Sequence, residues 1–270
     1  MALQTALYET LAASGARMGD YRGVQTALGW GEIAAEFAAL HSGCALYDLG
    51  WRSRLIISGD DRKRWMNGMV TNNIRDLAVN FGSYNFLLNP QGRIQADLYV
   101  YNRGEYFLVE TDGWQSAKLL ELFRKYIIMD RVEVSDANDK LTGIGIGGEK
   151  ATAVLQALGL NTDLQPLQVV DAVIENIGVA QPAAIGVSLV RAETSASYEL
   201  LMSSSNAAVV WDALIRAGAQ PVGADALELA RIAAGVPRYG QDIRDRDLPQ
   251  ETEQSQALNF RKGCYVGQEI

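Results

Sequence analysis

Residues 105–125 have the sequence EYFLVETDGWQSAKLLELFRK, in which a strand pattern is followed by a helix pattern. The first part is rich in aromatic and branched apolar residues, which predicts a strand at Glu105–Glu110. In the second part and the two residues after it, four apolar residues fall on one helix face: Leu119, Leu120, Phe123 and Ile127. This spacing predicts an amphipathic helix from about Trp114 to Met129.

The same kind of pattern extends on both sides of this stretch. The predicted elements are strand Arg54–Ser58, a helix capped by Asp61 and running to about Met69, strands Tyr84–Leu88 and Arg93–Tyr101, the strand and helix above, and strand Arg131–Ser135. A turn at Asn89–Gly92 separates the two middle strands. We interpret this succession as a β-α-β-β-α-β unit, the split pattern of ferredoxin-like folds.

The second half of the chain repeats the first. Residues 197–217 read SYELLMSSSNAAVVWDALIRA, and a constant offset of 92 residues aligns Tyr106 with Tyr198 and Phe123 with Ile215. A further strand is predicted at Leu141–Ile146. The fold class predicted is therefore α+β, with two pseudo-repeated units at about residues 50-138 and 139-245.

Composition restricts the possible functions. The formal net charge of −8 disfavours a nucleic-acid surface, which needs a basic field. Two cysteines without a C-x-x-C pair indicate a reducing compartment, and a single histidine, His41, excludes multi-histidine metal sites. The sequence has neither a signal-peptide pattern nor a long apolar run, so we expect a cytoplasmic protein that does not enter a membrane.

The most specific motif is KGCYVGQE at residues 262–269. Two glycines flank Cys264 and can hold its thiol in a tight exposed loop. The ammonium of Lys262, two positions earlier, would favour the thiolate form. A buried cysteine in a turn explains the same residues equally well, so the chemistry by itself leaves both interpretations open.

This motif is the signature of YgfZ-type proteins, the folate-binding relatives of the glycine-cleavage T-protein, and the chain resembles that family elsewhere too. The further matching segments are Gly15–Met18, Leu87–Arg93, Arg231–Ile243 and Pro249–Glu251. The resemblance spans nearly the whole chain. It implies a ring of subdomains with tetrahydrofolate in the central opening, formed by a folate-binding domain at residues 1-250. It also implies that 251-270 holds the signature and the start of a C-terminal β-barrel that is largely missing from this chain.

The resemblance also implies a role. YgfZ-type proteins are tetrahydrofolate-binding accessory proteins that support assembly or repair of iron–sulfur enzymes, some of which modify tRNA. Cys264 would be the catalytic residue. The expected partners are folate, or a one-carbon derivative of it, and iron–sulfur client enzymes or assembly factors, with no direct nucleic-acid contact. No bound cluster is expected, because a cluster needs several thiolates.

The chain departs from the T-protein pattern at several positions. These departures argue against the alternative function, that of a tetrahydrofolate-dependent aminomethyl- or methyltransferase. T-proteins carry Gly-Gly-x-x-Asp-Asp, where this chain has Ala96 in place of the first acid and keeps only Asp97. Arg191–Glu199 lacks the glycines of the corresponding T-protein loop, and Ala233 replaces a glutamate. A third possibility is a non-catalytic module in which folate is a structural ligand.

Six residues are candidates for contacts with the cofactor: Asp97, Arg231, Tyr239, Lys262, Tyr265 and Gln268. An arginine fork suits the glutamate carboxylates of folate. The paired donors of the pterin edge suit a carboxylate, and Asp97, Glu193 and Glu199 all remain possible. Arg231 could equally be a solvated helix residue, and Asp97 a solvent-facing strand residue.

Overall fold

The computed structural model describes residues 3–177, 184–193 and 196–268. Its strands are β1 Leu3–Gln4, β2 Arg17–Tyr21, β3 Val24–Gly29, β4 Ala45–Asp48, β5 Arg52–Ser58, β6 Gly82–Leu88, β7 Ile94–Asn102, β8 Phe107–Asp112, β9 Glu133–Asp136, β10 Leu141–Gly147, β11 Val169–Ile174, β12 Ile185–Arg191, β13 Ser197–Ser203 and β14 Gln220–Pro221. Its helices are α1 Tyr8–Ala13, α2 Ile33–Ser42, α3 Arg62–Met69, α4 Ser116–Lys125, α5 Ala151–Ala157, α6 Ala207–Arg216 and α7 Ala224–Ala233. None of the helices in the described ranges has the length and apolar character needed to cross a membrane.

The chain divides into two compact units, each assembled from two separate stretches. The first unit contains Met1–Arg52 and Asn138–Ala234, and the second contains Ser53–Ala137 and Gly235–Ile270. Residues 251–268, in which the start of a barrel was expected, therefore group with the second unit.

The second unit is built on a five-stranded sheet of order β6-β7-β8-β5-β9. Successive residues of a strand point to opposite faces, so β7 contributes to two different cores. Ala96, Leu98 and Val100 pack in one core with Leu119 and Phe123 of α4. On the other face, residues of β6 pack against the segment that follows Gly235, forming a second core: Tyr84, Phe86, Leu88, Ile94, Tyr239, Ile243 and Ala257.

The strands of this unit were predicted nearly at their observed bounds, but the β-α-β-β-α-β order assigned to them omits one of the three strands predicted between the two helices. Between α3 and α4 lie three strands, β6, β7 and β8. The first two of them are separated by the predicted Asn89–Gly92 turn, in which the Gly92 N–H donates to the Asn89 carbonyl at 2.9 Å. Gly92 adopts a φ of +76°, which favours glycine. The turn joins β6 and β7 as a hairpin, and β8 pairs antiparallel with β7 as its third strand.

Two helix predictions also need correction. The helix predicted from Trp114 to Met129 is shorter, because Trp114 lies in a 3-10 turn, and α4 ends at Lys125. Asp61 precedes α3, as predicted, but makes no capping bond to that helix. Its carboxylate instead accepts the Arg131 backbone N–H at 2.8 Å, and this bond lowers the pKa of Asp61.

The first unit contains a six-stranded sheet of order β11-β12-β13-β10-β4-β14 and a small sheet of order β1-β3-β2. Helices α5 and α6 pack on the larger sheet, with Leu155 and Trp211 in the core beside Ile144 and Leu200. Along the chain, β10-α5-β11-β12-β13-α6-β14 has the same element order as β5-α3-β6-β7-β8-α4-β9. In each unit a three-residue 3-10 turn precedes a ten-residue helix.

Candidate functional site

Asp97 lies on β7 of the second unit, and two side chains hold its carboxylate in place. Tyr84 donates its hydroxyl to Oδ2 at 3.0 Å, and Gln115 donates Nε2 to Oδ1 at 2.8 Å. Gln115 also accepts the Asp97 backbone N–H at 3.3 Å. A carboxylate has about four lone-pair sites on its two oxygens, so its fixed orientation determines the directions from which donors can reach it.

The aromatic side chains around Asp97 favour the hydrogen bonding that fixes its carboxylate. Tyr84 is buried, and burial together with the nearby Asp97 charge raises the pKa of Tyr84 well above its usual value. The phenol therefore stays protonated and remains a donor to Asp97. Tyr99 packs on Tyr84 with 4.9 Å between the ring centroids. The result is a half-buried carboxylate beside flat apolar rings, an arrangement that suits a planar ligand with an edge of N–H donors.

A second cluster surrounds the buried Tyr239. Trp114 stacks on its ring with a centroid separation of 5.6 Å and an interplanar angle of 7°. Lys118 donates Nζ to the Tyr239 hydroxyl at 2.8 Å, and that hydroxyl donates to Asp245. Burial, followed by the Asp245 bond and charge, raises the pKa of Tyr239. The Asp97 charge also contributes to this shift, so Tyr239 lies within electrostatic reach of Asp97.

A cavity of about 380 Å³ opens beside the stacked rings. Its lining residues are Trp114, Lys118, Tyr239, Gly240, Arg244, Asp245 and Arg246. Three of these are cationic and one is anionic, so the cavity is locally basic in a protein of net charge −8. Gly240 has a φ of +87°, and a Cβ there would lie 2.5 Å from the Trp114 ring, so only glycine fits under the indole.

The signature segment also belongs to the second unit. Cys264 is exposed, whereas Lys262 is buried and directs its amine to backbone carbonyls. Tyr265 packs against the core formed by Tyr84 and Phe86, and the Gln268 backbone N–H donates to the Tyr265 carbonyl at 3.2 Å. Glu269 lies outside the described residues.

Of the six predicted cofactor residues, only Arg231 belongs to the first unit. It lies on α7, as predicted, where it is mostly buried and pairs with Glu228 one turn earlier at 2.5 Å. Of the other two candidate acids, Glu199 lies 3.8 Å from Arg52, and burial raises the pKa of Glu193. Both belong to the first unit as well. Asp97 is thus the candidate acid that shares a unit with Tyr239 and the signature segment.

Sequence reasoning missed the residues that surround Asp97 and Tyr239. Gln115, Trp114 and Lys118 were assigned only to a helix. One signal could have found Trp114, because a tryptophan at the start of the predicted helix that lies off its apolar face has no part in the predicted core. No sequence signal identifies Gln115. Among residues 3–177, 184–193 and 196–268, no group of three His, Cys, Asp or Glu side chains is placed to hold a metal ion.

The fold and this site define an α+β protein of the glycine-cleavage T-protein type. The structure is similar to that of the glycine cleavage system aminomethyltransferase T from Bartonella henselae, with a TM-score of 0.81 over 92% of this chain and 67% of that chain. Sequence identity to it is 19%, so this likeness concerns the fold. Residues 7–262 match the model of the GCVT N-terminal domain, and the chain belongs to that family.

The chain is similar to curated relatives over nearly its whole length. An aminomethyltransferase from Thermus thermophilus is 27% identical over 267 residues, which are 98% of this chain and 75% of the relative. An aminomethyltransferase from Chloroherpeton thalassium is 27% identical over 269 residues, 97% of this chain and 73% of the relative. The chain thus spans about three quarters of the length of these relatives.

Proposed function

We propose that this protein binds tetrahydrofolate and acts as a YgfZ-type accessory factor for the assembly or repair of iron–sulfur enzymes, including ones that modify tRNA. The observation that carries the folate part is the Asp97 carboxylate, fixed by Tyr84 and Gln115 beside aromatic rings. A pterin presents paired N–H donors along one edge of a flat ring, and a fixed carboxylate accepts such a pair.

The cavity beside Trp114 supports the same ligand. The electron-rich indole face suits a planar ring, and the nearby cations Lys118, Arg244 and Arg246 suit the carboxylates of a glutamate tail. Tyr265 and Gln268 remain candidate contacts because they lie in the same unit. Arg231 remains a candidate contact for a folate carboxylate, provided that it gives up its ion pair with Glu228. Lys262 remains a candidate contact with the cofactor, provided that its amine gives up its hydrogen bonds to the backbone carbonyls.

The accessory role rests on the signature motif and on the exposure of Cys264. The aminomethyltransferase names of the relatives favour a second candidate, a tetrahydrofolate-dependent aminomethyltransferase. Against it stand Ala96, in place of an acid, and the shortened loop before Tyr198. We therefore favour the accessory role, exercised in the cytoplasm through iron–sulfur client enzymes or assembly factors.

We also infer that the two units arose by duplication. The support is the shared element order, together with the matched 3-10 turn and helix in each unit. In the complete protein, we expect a β-barrel to follow the signature segment. A solved structure of the longer protein in which no barrel follows residue 270 would contradict this expectation.

Titration with tetrahydrofolate and its one-carbon derivatives, by calorimetry and by thermal unfolding, tests the folate proposal. A ligand that binds only the native state at 100 times its Kd stabilises it by about 2.7 kcal/mol and raises its melting temperature. Absence of both heat and thermal shift at millimolar ligand would refute folate binding. Loss of iron–sulfur enzyme activity in cells that carry Cys264→Ala, with folate binding intact, is the result expected for the accessory role.

A further inference from the structure

Lys262 has all three hydrogens of its ammonium group on backbone carbonyls. The acceptors are the carbonyl oxygens of Asn67, Val70 and Asn72, at 2.6, 2.5 and 2.7 Å from Nζ. The residue is only 9% exposed. Its charged end therefore points into the second unit, although the sequence had suggested that it serves the thiol of Cys264.

These carbonyls lie where helix α3 ends. The helix runs from Arg62 to Met69, with Val70 as its C-cap. The last carbonyls of a helix have no partners within it and carry the negative end of its dipole, which attracts a cation. Nζ also lies 4.8 Å from the centroid of the Tyr265 ring, whose face adds a further attraction. The buried charge is thus offset from several sides.

The geometry identifies the ammonium as the bound form. Burial, with a smaller contribution from the Arg75 charge, lowers the pKa of Lys262 to about 7. A neutral amine, however, has two N–H donors and a lone pair, so one of the three carbonyl oxygens would face that lone pair at under 3 Å. The three carbonyls and the Tyr265 ring favour the ammonium form and so oppose this effect of burial.

The residues around Lys262 are attached to the same surface. Upstream, the Asn259 N–H donates to the Thr71 carbonyl at 3.2 Å, and the Thr71 hydroxyl donates to the Ala257 carbonyl at 2.7 Å. Downstream, the Val266 N–H donates to the Gly68 carbonyl at 3.0 Å. The backbone is therefore fixed on both sides of Cys264.

Cys264 itself is exposed within this attached segment. Among the described residues, no hydrogen bond or ion pair joins it to Lys262. We propose that Lys262 is a positioning residue, whose ammonium fixes the signature segment Asn259–Gln268 to the end of α3 and so determines where Cys264 is presented, without activating the thiol through its charge. The role of the presented Cys264 thiol rests on the proposed function, but the attachment of the segment to α3 does not depend on folate binding.

Two substitutions at Lys262 and one at its neighbour test this proposal. Lys262→Met removes the donors and the charge. Lys262→Arg keeps the charge, but a planar fork cannot direct three donors to the three carbonyls. Arg261→Met removes an exposed cation three positions before Cys264 and is the matched control. Two quantities are measured on the 270-residue chain: amide hydrogen exchange at 67–72 and 259–268, and the rate of Cys264 alkylation against pH, resolved by mass spectrometry.

Both Lys262 variants are expected to increase amide exchange in the two segments about 10-fold or more, as expected for local opening. The pH midpoint of Cys264 alkylation is expected to stay within about 0.3 units, and Arg261→Met is expected to change neither quantity. Activation by charge predicts a different pattern, in which Lys262→Met raises the midpoint and Lys262→Arg does not. That pattern, or unchanged exchange in both Lys262 variants, would overturn the proposal. A failure of folate binding would leave this result unaffected.

Discussion

At the scale of single residues, Asp97 shows how the structure around a strand can fix the orientation of a carboxylate. The carboxylate lies on the face of β7 opposite to Ala96 and Leu98, where it meets Tyr84 and Gln115 rather than open solvent. Because Tyr84 and Gln115 orient its two oxygens, the lone pairs of the carboxylate have fixed directions. This preorganisation reduces the entropy that a ligand loses on binding.

Asp97→Asn is predicted to weaken tetrahydrofolate binding about 10-fold or more. A hydrogen bond to a charged group contributes roughly 1.5–3 kcal/mol, and an amide cannot accept a pair of donors as a carboxylate does. Calorimetric titration measures the change in Kd. Asp139→Asn, at an exposed position in the other unit, is the control. An unchanged Kd in the Asp97 variant would remove Asp97 from the site.

The two cysteines are predicted to react with an alkylating reagent at very different rates. Cys264 is exposed, whereas Cys44 is 5% exposed, and burial raises the pKa of the Cys44 thiol to about 11. At pH 9, about one Cys44 thiol in a hundred is ionised, since each pH unit below the pKa reduces that fraction tenfold. Mass spectrometry under native conditions should find Cys264 labelled first. Equal or reversed rates would make Cys264 a packing residue.

At the scale of elements, the signature segment is attached to the β6–β7 hairpin through Gly267. A Cβ at Gly267 would lie 2.1 Å from the Asn89 carbonyl oxygen, and the residue has a φ of +76°. Both conditions exclude a side chain. The other glycine of the motif, Gly263, has no atom within 4 Å of such a Cβ and no positive φ. Steric contact and a positive φ therefore require glycine at position 267 but not at position 263.

Gly267→Ala is predicted to destabilise the protein, whereas Gly263→Ala is predicted to be nearly neutral. Overpacking typically costs 1–3 kcal/mol, and an alanine at positive φ adds strain, so a loss of about 2 kcal/mol or more is expected for Gly267→Ala. Denaturant unfolding of both variants measures the difference. Equal stability of the two variants would show that the segment is not attached at Gly267.

At the scale of the whole molecule, we predict that the protein lacks glycine-cleavage aminomethyl transfer. Ala96 cannot assist proton transfer as an acid does, and the loop before Tyr198 lacks the glycines of the T-protein pattern. Production of methylenetetrahydrofolate from a standard aminomethylated carrier is the measurement, with a T-protein from a curated relative as the positive control. Robust turnover would instead support the aminomethyltransferase function.

Most elements of the second unit were predictable from the sequence because their signals are local. Alternation along β7 and the apolar face of α4 depend on neighbours within a few residues, and tight turns depend on glycine. The T-protein family was also predictable, since its matching segments Gly15–Met18, Leu87–Arg93 and Arg231–Ile243 are continuous stretches of sequence.

Only the tertiary structure decided which side chains meet. Gln115 reaches Asp97 from the turn after β8, and Trp114 covers Tyr239, which follows it by more than a hundred residues. Lys262 was expected to serve the cysteine two positions away, yet its amine binds carbonyls at Asn67, Val70 and Asn72. The physical reason is that burial and hydrogen bonding with groups distant in sequence determine where a side chain points. The spacing of residues along the chain does not reveal which distant groups those are.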